Sequence, residues 1–178
     1  MEYVYHAVTE RPMVPGQILL FDESHHNGVY NRVMTCKRMI DGEPIDGEVA
    51  RLISGDPDKW TGIMFREVAL EKVRSEEYPD CPSRMACLYT SRTLREAKGW
   101  AAFFANIGRD VYSIVKLRVD GNLFDGDACN CFRGTGIEPD DLEKAHHYWK
   151  KDIVNKKPII ETLVNGNICV EEIVLSYR

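Results

Sequence analysis

The hydrophobic pattern of the chain changes repeatedly between the two-residue period of β-strands and the 3.6-residue period of helices. Strand-like runs occupy residues 2–8, 17–21, 85–91, 111–119, 123–125, 158–164 and 168–175. Helical spacing occupies residues 46–54, 58–77, 93–108 and 139–149, with a further helix expected after Ser24. This order of elements predicts an α+β domain, and a length of 178 residues favours a single domain over residues 1–178.

Local signals sharpen the ends of several helices. Thr93 and Glu96 have the spacing of a capping box, in which each side chain bonds the backbone N–H of the other residue. Ser24 is the expected cap of the first helix, and Pro139 is typical of the first turn of the last one. The many charges of the helix over 58–77 are most simply interpreted as a solvated face.

Two β-branched runs flank Asn165-Gly166 near the end of the chain. Asn-Gly suits a two-residue type I′ turn, because both central residues of that turn need a positive φ. We therefore predict a hairpin at this position. The first run contains an acid, Glu161, which lies either at an exposed edge or in a functional site.

Composition limits the class of protein. Apolar residues make up 44% of the chain and charged residues 29%, as in soluble globular proteins. A net charge of −5 and a pI near 5.6 argue against broad, charge-driven binding to nucleic acid or to anionic membranes. A specific nucleic-acid substrate is still compatible with this charge.

The sequence has no apolar run of membrane-spanning length and no secretory signal, so we expect a cytoplasmic protein without a membrane partner. Six cysteines occur without a CxxC pair, which favours free thiols in a reducing compartment. His25-His26 is interpreted as surface, and Cys129 and Cys131 lack the usual spacing of zinc ligands. No metal site is expected.

Three segments carry the candidate chemistry in a characteristic order. The first strand contains His6, a middle strand contains Tyr89 and leads into a helix with Trp100, and a late strand contains Glu161. This ordered set resembles the ADP-ribosyltransferase superfamily in its histidine–tyrosine–glutamate version, as an uncharacterised bacterial branch. The resemblance covers most of the chain, although each motif is short. It implies a split antiparallel β-sheet core with flanking helices, and NAD as the substrate.

The resemblance also implies a role for each matching residue. His6 would bond a ribose hydroxyl of NAD, and Tyr89 and Trp100 would hold the nicotinamide ring between them. Glu161 would be the catalytic acid, which stabilises positive charge on the ribose as the glycosidic bond breaks. Alternatively, His6 and Trp100 are core residues, as such residues often are.

The chain departs from the superfamily pattern at several places. Thr90-Ser91 after Tyr89 is also similar to the serine-bearing strand of the arginine–serine–glutamate version, so both residues are candidates for cofactor binding. Ile159 stands where many protein-modifying members carry Gln or Glu, which puts an arginine acceptor in doubt. Glu171 is the second choice for the acid. Two arginines, Arg11 and Arg32, are candidates for the NAD phosphates, and a surface salt bridge is the alternative for either.

The resemblance implies transfer of ADP-ribose to a macromolecular acceptor, either protein or nucleic acid, by a toxin or defence effector that an inhibitory partner restrains. The alternatives are a binding module that has lost the chemistry, and an NAD glycohydrolase. The sequence contains neither GxGxxG nor a P-loop, so a dehydrogenase or nucleotidase has little support.

Overall fold

The computed structural model describes residues 1–151 and 155–177. Seven β-strands and five α-helices are found within these residues. The strands are β1 (Glu2–Val8), β2 (Ile18–Phe21), β3 (Leu88–Thr90), β4 (Ser113–Asp120), β5 (Leu123–Asp127), β6 (Ile160–Val164) and β7 (Gly166–Ser176). The helices are α1 (Gly28–Ile40), α2 (Glu48–Gly55), α3 (Pro57–Glu77), α4 (Leu94–Asn106) and α5 (Glu138–Trp149), and a short 3₁₀ turn occupies Ala128–Asn130.

The strands form two antiparallel sheets, which confirms the predicted α+β class. One sheet has the order β1-β4-β7-β2, and the other has the order β3-β6-β5. The two sheets meet where Tyr5 of β1 and Ser91, just after β3, exchange two backbone hydrogen bonds of 2.8 Å. This junction brings the first strand beside the strand of the middle segment.

The predicted hairpin at Asn165-Gly166 is wrong. β6 pairs with β3 and β5 in one sheet, whereas β7 pairs with β4 and β2 in the other. Gly166 has a positive φ of 78°, but Asn165 does not, so the pair cannot form a type I′ turn. The two residues instead carry the chain from one sheet to the other.

A close approach of two chain segments explains the sheet crossing. The side chain of Asn165 accepts a hydrogen bond from the backbone N–H of Asn122 (2.9 Å), in the β4–β5 connection. A Cβ at position 166 would lie 2.4 Å from the carbonyl oxygen of Asp120, which only glycine avoids. The Asn-Gly pair is therefore explained by the close contact of this segment with the β4–β5 connection.

The helix starts follow their caps, with one correction. Both bonds of the Thr93–Glu96 capping box are present at α4. The first helix begins later than expected, because Asn27 and not Ser24 caps it. The Asn27 side chain accepts from the N–H groups of Val29 and Tyr30 and donates to the carbonyls of Arg84 and Cys87. It therefore also fixes α1 to the segment before β3.

The hydrophobic core has distinct parts on the two sheets. Helices α3 and α5 pack on the three-stranded sheet through Leu70, Phe124, Trp149 and Leu163. The Trp149 indole N–H donates to the Leu70 carbonyl (2.8 Å), which satisfies its buried polar atom. Helix α4 packs on β1 and β4 of the other sheet. None of the helices in the described part of the chain is long and apolar enough to cross a membrane.

We expect Gly166→Ala to lower the free energy of unfolding by about 2 kcal/mol or more. A positive φ costs an L-residue about 1–2 kcal/mol, and the new Cβ would also clash with the Asp120 carbonyl. The control is Gly42→Ala, where φ is 82° but no atom lies within 4 Å of the position that the new methyl group would take. Urea denaturation measures both variants, and equal losses would contradict a role for the close approach.

Candidate functional site

A cleft with a volume of about 1090 Å³ opens beside the junction of the two sheets. Its walls come from β1, β3 and α4 on one side and from α1 and α3 on the other. All six residues proposed from the sequence line this cleft: His6, Tyr89, Thr90, Ser91, Trp100 and Glu161. The fold therefore brings together residues that are separated by up to 155 positions in the sequence.

His6 is held by a hydrogen bond between its Nδ1 and the backbone carbonyl of Tyr89 (2.8 Å). A carbonyl only accepts, so Nδ1 carries the proton and Nε2 of the neutral ring is left as an acceptor. Burial lowers the pKa of His6 below 6.5, although the bond to Tyr89 opposes this effect. The imidazole is therefore neutral at neutral pH.

The β3 residues contribute in different ways. The Tyr89 hydroxyl donates to the Arg84 carbonyl (2.8 Å), and this ring lies 5.3 Å from the Arg84 guanidinium carbon. The Thr90 hydroxyl donates to the carbonyl of Thr162 on β6 (2.8 Å), so its proton is committed to the sheet. Ser91 is buried and forms the backbone junction with Tyr5. Of the three, Tyr89 offers the ligand a ring, while Thr90 and Ser91 hold the strands in place.

Trp100 lies on the face of α4 that points toward the sheets. Its helical neighbours Ala97 and Phe104, three residues before it and four after it, pack in the same cluster. The indole N–H donates to the carbonyl of Ile160 (3.3 Å), and the ring stacks with Phe104 at 5.8 Å. This position places the indole next to the strand that carries Glu161.

Glu161 is 7% exposed and lies deep in the cleft. Its Oε1 accepts from the Tyr148 hydroxyl (2.8 Å) and from the guanidinium of Arg84, and the Cys131 thiol lies 3.9 Å away. None of the described residues donates to Oε2. The carboxylate is thus fixed through one oxygen, and the other is left for a ligand.

Arg84 is the central residue of this site, and the sequence interpretation missed it. The buried guanidinium bonds Glu161, Tyr148 (2.7 Å) and Glu67 (3.0 Å), and Glu67 also accepts from Arg66 (2.8 Å). The interpretation of Glu67 as part of a solvated helix face is wrong, because this side chain is 1% exposed. Arg84 lies just before a short buried strand, but its partners are 17 and 77 positions away. No local pattern indicates that pairing.

The charges of this buried group reinforce one another. Burial alone would raise the pKa of Glu67, but the Arg84 and Arg66 guanidinium groups outweigh it and hold the pKa below 4.5. Burial would also lower the pKa of Arg84, yet Glu161 and Glu67 raise it well above its usual value. Burial raises the pKa of the Cys131 thiol to about 11, so it is a neutral neighbour of Glu161.

The cleft as a whole is basic in an acidic protein. Three carboxylates line it, Glu10, Glu67 and Glu161, against six cationic side chains: Arg11, Arg32, Lys59, Arg66, Arg84 and Arg109. The excess of three positive charges contrasts with a net charge of −5 for the chain. Clefts lined by one sign of charge concentrate ligands of the opposite sign. This cleft is suited to an anionic ligand.

The second choice for the acid, Glu171, lies elsewhere. It is exposed on β7, where it pairs with Arg118 of the neighbouring strand β4, and it does not line the cleft. Among residues 1–151 and 155–177, no group of three or more His, Cys, Asp or Glu side chains is arranged to hold a metal ion.

The arrangement combines a fixed carboxylate, a neutral imidazole and aromatic rings in a basic cleft between two antiparallel sheets. Such a cleft can hold an anionic ligand with a flat ring and stabilise positive charge that develops beside Glu161. A fold and site of this kind define a mixed α+β protein with a basic cleft beside the junction of its two sheets. The chain belongs to the family described as "Protein of unknown function (DUF2441)", whose model matches residues 4–176. A comparison with the curated proteins finds no match.

We expect Arg84→Gln to lower the free energy of unfolding by about 3–5 kcal/mol, because it leaves the buried Glu161 carboxylate without a charged partner and Glu67 with Arg66 alone. The matched control is Arg38→Gln, which removes an arginine from an exposed pair with Glu43 and should change stability little. Urea denaturation of both variants gives the comparison. A loss no larger than that of the control would contradict the central role of Arg84.

Glu67 should make stability depend on pH in the acid range. Its pKa is lower in the folded protein than in the unfolded chain, so its contribution is complete above about pH 4.5 and is lost as the pH falls further. The difference in unfolding free energy between wild type and Glu67→Gln should therefore shrink as the pH falls below about 4.5. Parallel curves over this range would contradict the assignment.

Proposed function

We propose that this protein is an NAD-dependent ADP-ribosyltransferase that cleaves the bond between nicotinamide and ribose. The observation that carries the proposal is the convergence of His6, Tyr89, Trp100 and Glu161 in one cleft. These residues were selected from separate segments by their resemblance to the superfamily. The junction of two antiparallel sheets at β1 and β3 supports the same resemblance.

Glu161 is the proposed catalytic acid. Cleavage of the glycosidic bond creates positive charge on the ribose, and a preorganised carboxylate opposite that charge lowers the barrier. Arg84 and Tyr148 fix Glu161 through Oε1, which would leave Oε2 to contact the ribose.

The remaining residues are proposed to hold NAD. The Nε2 atom of neutral His6 would accept a hydrogen bond from a ribose hydroxyl, since Nδ1 is already bonded to Tyr89. The Tyr89 and Trp100 rings would contact the nicotinamide, whose cationic character favours an aromatic face. Thr90 and Ser91 would support this site mainly by holding β3 against β6 and β1.

The proposed acceptor of ADP-ribose is a macromolecule, protein or nucleic acid, and the exposed Ile159 near Glu161 does not favour an arginine acceptor. We further propose that the protein acts in the cytoplasm, where its free thiols would stay reduced, as a toxin or defence effector with an inhibitory partner.

One observation favours a second candidate function. The Glu161 carboxylate forms an ion pair with Arg84, which partly neutralises the charge that catalysis would require. A module that binds NAD or another anionic ligand without cleaving it would retain such a pair. NAD hydrolysis without an acceptor is a further alternative that shares the same site.

The decisive experiment measures nicotinamide release from NAD by the wild type, Glu161→Gln and Glu171→Gln. We expect release by the wild type, a loss of about 100-fold or more in Glu161→Gln, and no loss in Glu171→Gln, because Glu171 lies outside the cleft. Thermal melting of each variant establishes that it is folded.

The outcomes separate the candidate functions. Nicotinamide release that continues in the absence of any acceptor indicates a glycohydrolase. If NAD stabilises the protein but no nicotinamide is released, the protein is incubated with labelled NAD and a cell lysate. A labelled macromolecule then indicates a transferase. The absence of release, labelling and stabilisation together would contradict the proposal. Stabilisation without release or labelling would favour the binding module.

A further inference from the structure

The cationic side chains of the cleft differ in the protein groups that they contact. Arg66 and Arg84 are bonded to the buried carboxylates Glu67 and Glu161. Arg109 donates to the Thr9 hydroxyl (2.9 Å) and lies over the Phe104 ring at 4.8 Å. Arg66 and Arg84 are therefore paired with carboxylates, and Arg109 is held by a hydroxyl and a ring.

Arg32 differs from these three in its contacts. It lies in the second turn of α1, is half-buried, and has no carboxylate within ion-pairing distance among the described residues. Its guanidinium lies beside Gly28, where an added Cβ would be 3.1 Å from Nη1. A half-buried guanidinium without a counter-charge retains its full attraction for an anion.

A second cation lies on the facing helix. The Lys59 ammonium, in the first turn of α3, is 5.3 Å from the centre of the Trp60 ring, and the Arg32 guanidinium carbon is 5.9 Å from the same centre. Neither cation has a described carboxylate partner. The two like charges thus lie within about 6 Å of the centre of one indole ring, where α1 and α3 line the cleft.

We propose that Arg32, with Lys59, binds the diphosphate of the dinucleotide at this end of the cleft. The inference rests on the proposed function, in that NAD is the ligand. A diphosphate carries two negative charges, which match the two cations, and the planar guanidinium can bond phosphate oxygens through two N–H groups. Arg11, the other arginine proposed from the sequence, is exposed, whereas Arg32 is half-buried beside the Trp60 ring, so Arg11 is the weaker anchor of the two arginines.

The test is calorimetric titration of the wild type, Arg32→Gln and Lys59→Gln with ADP, which carries the diphosphate without nicotinamide. We expect Arg32→Gln to weaken ADP binding about tenfold or more, because it removes a charge-assisted bond. The matched control, Arg38→Gln, removes an arginine from the same helix but outside the cleft, and should bind ADP as the wild type does. Arg109→Gln tests another cation of the cleft, which lies beside Thr9 and Phe104.

The outcomes distinguish this subsite from the proposed activity. Weaker ADP binding in Arg32→Gln, with or without nicotinamide release by the wild type, supports the subsite. An affinity for ADP unchanged in Arg32→Gln, or lost only in Arg109→Gln, overturns it even if NAD is cleaved. No binding of ADP by the wild type overturns it as well. If NAD is cleaved, Arg32→Gln should raise KM more than it lowers kcat.

Discussion

The buried guanidinium of Arg84 is the interaction on which the rest of the site depends. It joins Glu67 of α3, Tyr148 of α5 and Glu161 of β6, so three elements that are distant in sequence meet at one side chain. Each of these buried charged groups is costly to desolvate alone, and the ion pairs with Arg84 offset that cost. The position of α3 and α5 on the three-stranded sheet and the position of Glu161 are consequently linked.

This constraint also shapes the electrostatics of the cleft. The pairs that involve Arg66 and Arg84 neutralise buried charges, whereas Arg32 and Lys59, beside Trp60, have no carboxylate within ion-pairing distance among the described residues. In the proposed binding mode, the anionic part of the ligand would lie beside Arg32 and Lys59 and its flat ring near Trp100.

Much of the fold could be predicted because its signals are local. The Thr93–Glu96 capping box, the apolar spacing of α3 and the alternation over β4 each depend on residues within one or two turns or one strand. The candidate residues His6, Tyr89 and Trp100 were also identified, because each lies in a recognisable element. Their shared cleft could only be expected by resemblance, since no periodicity specifies which strands meet.

By itself the sequence determined the element types and the α+β class, and a family resemblance selected six of the residues that line the cleft. The tertiary structure decided the pairings between segments. Asn165-Gly166 has the sequence of a hairpin turn, but β6 pairs with β5 in one sheet and β7 with β4 in the other, and Gly166 packs against the Asp120 carbonyl. From the sequence Glu67 resembles a solvated helix residue, but in the folded protein it is buried against Arg84. Long-range ion pairs and strand partners depend on the proximity that folding creates, and that proximity has no local sequence signal.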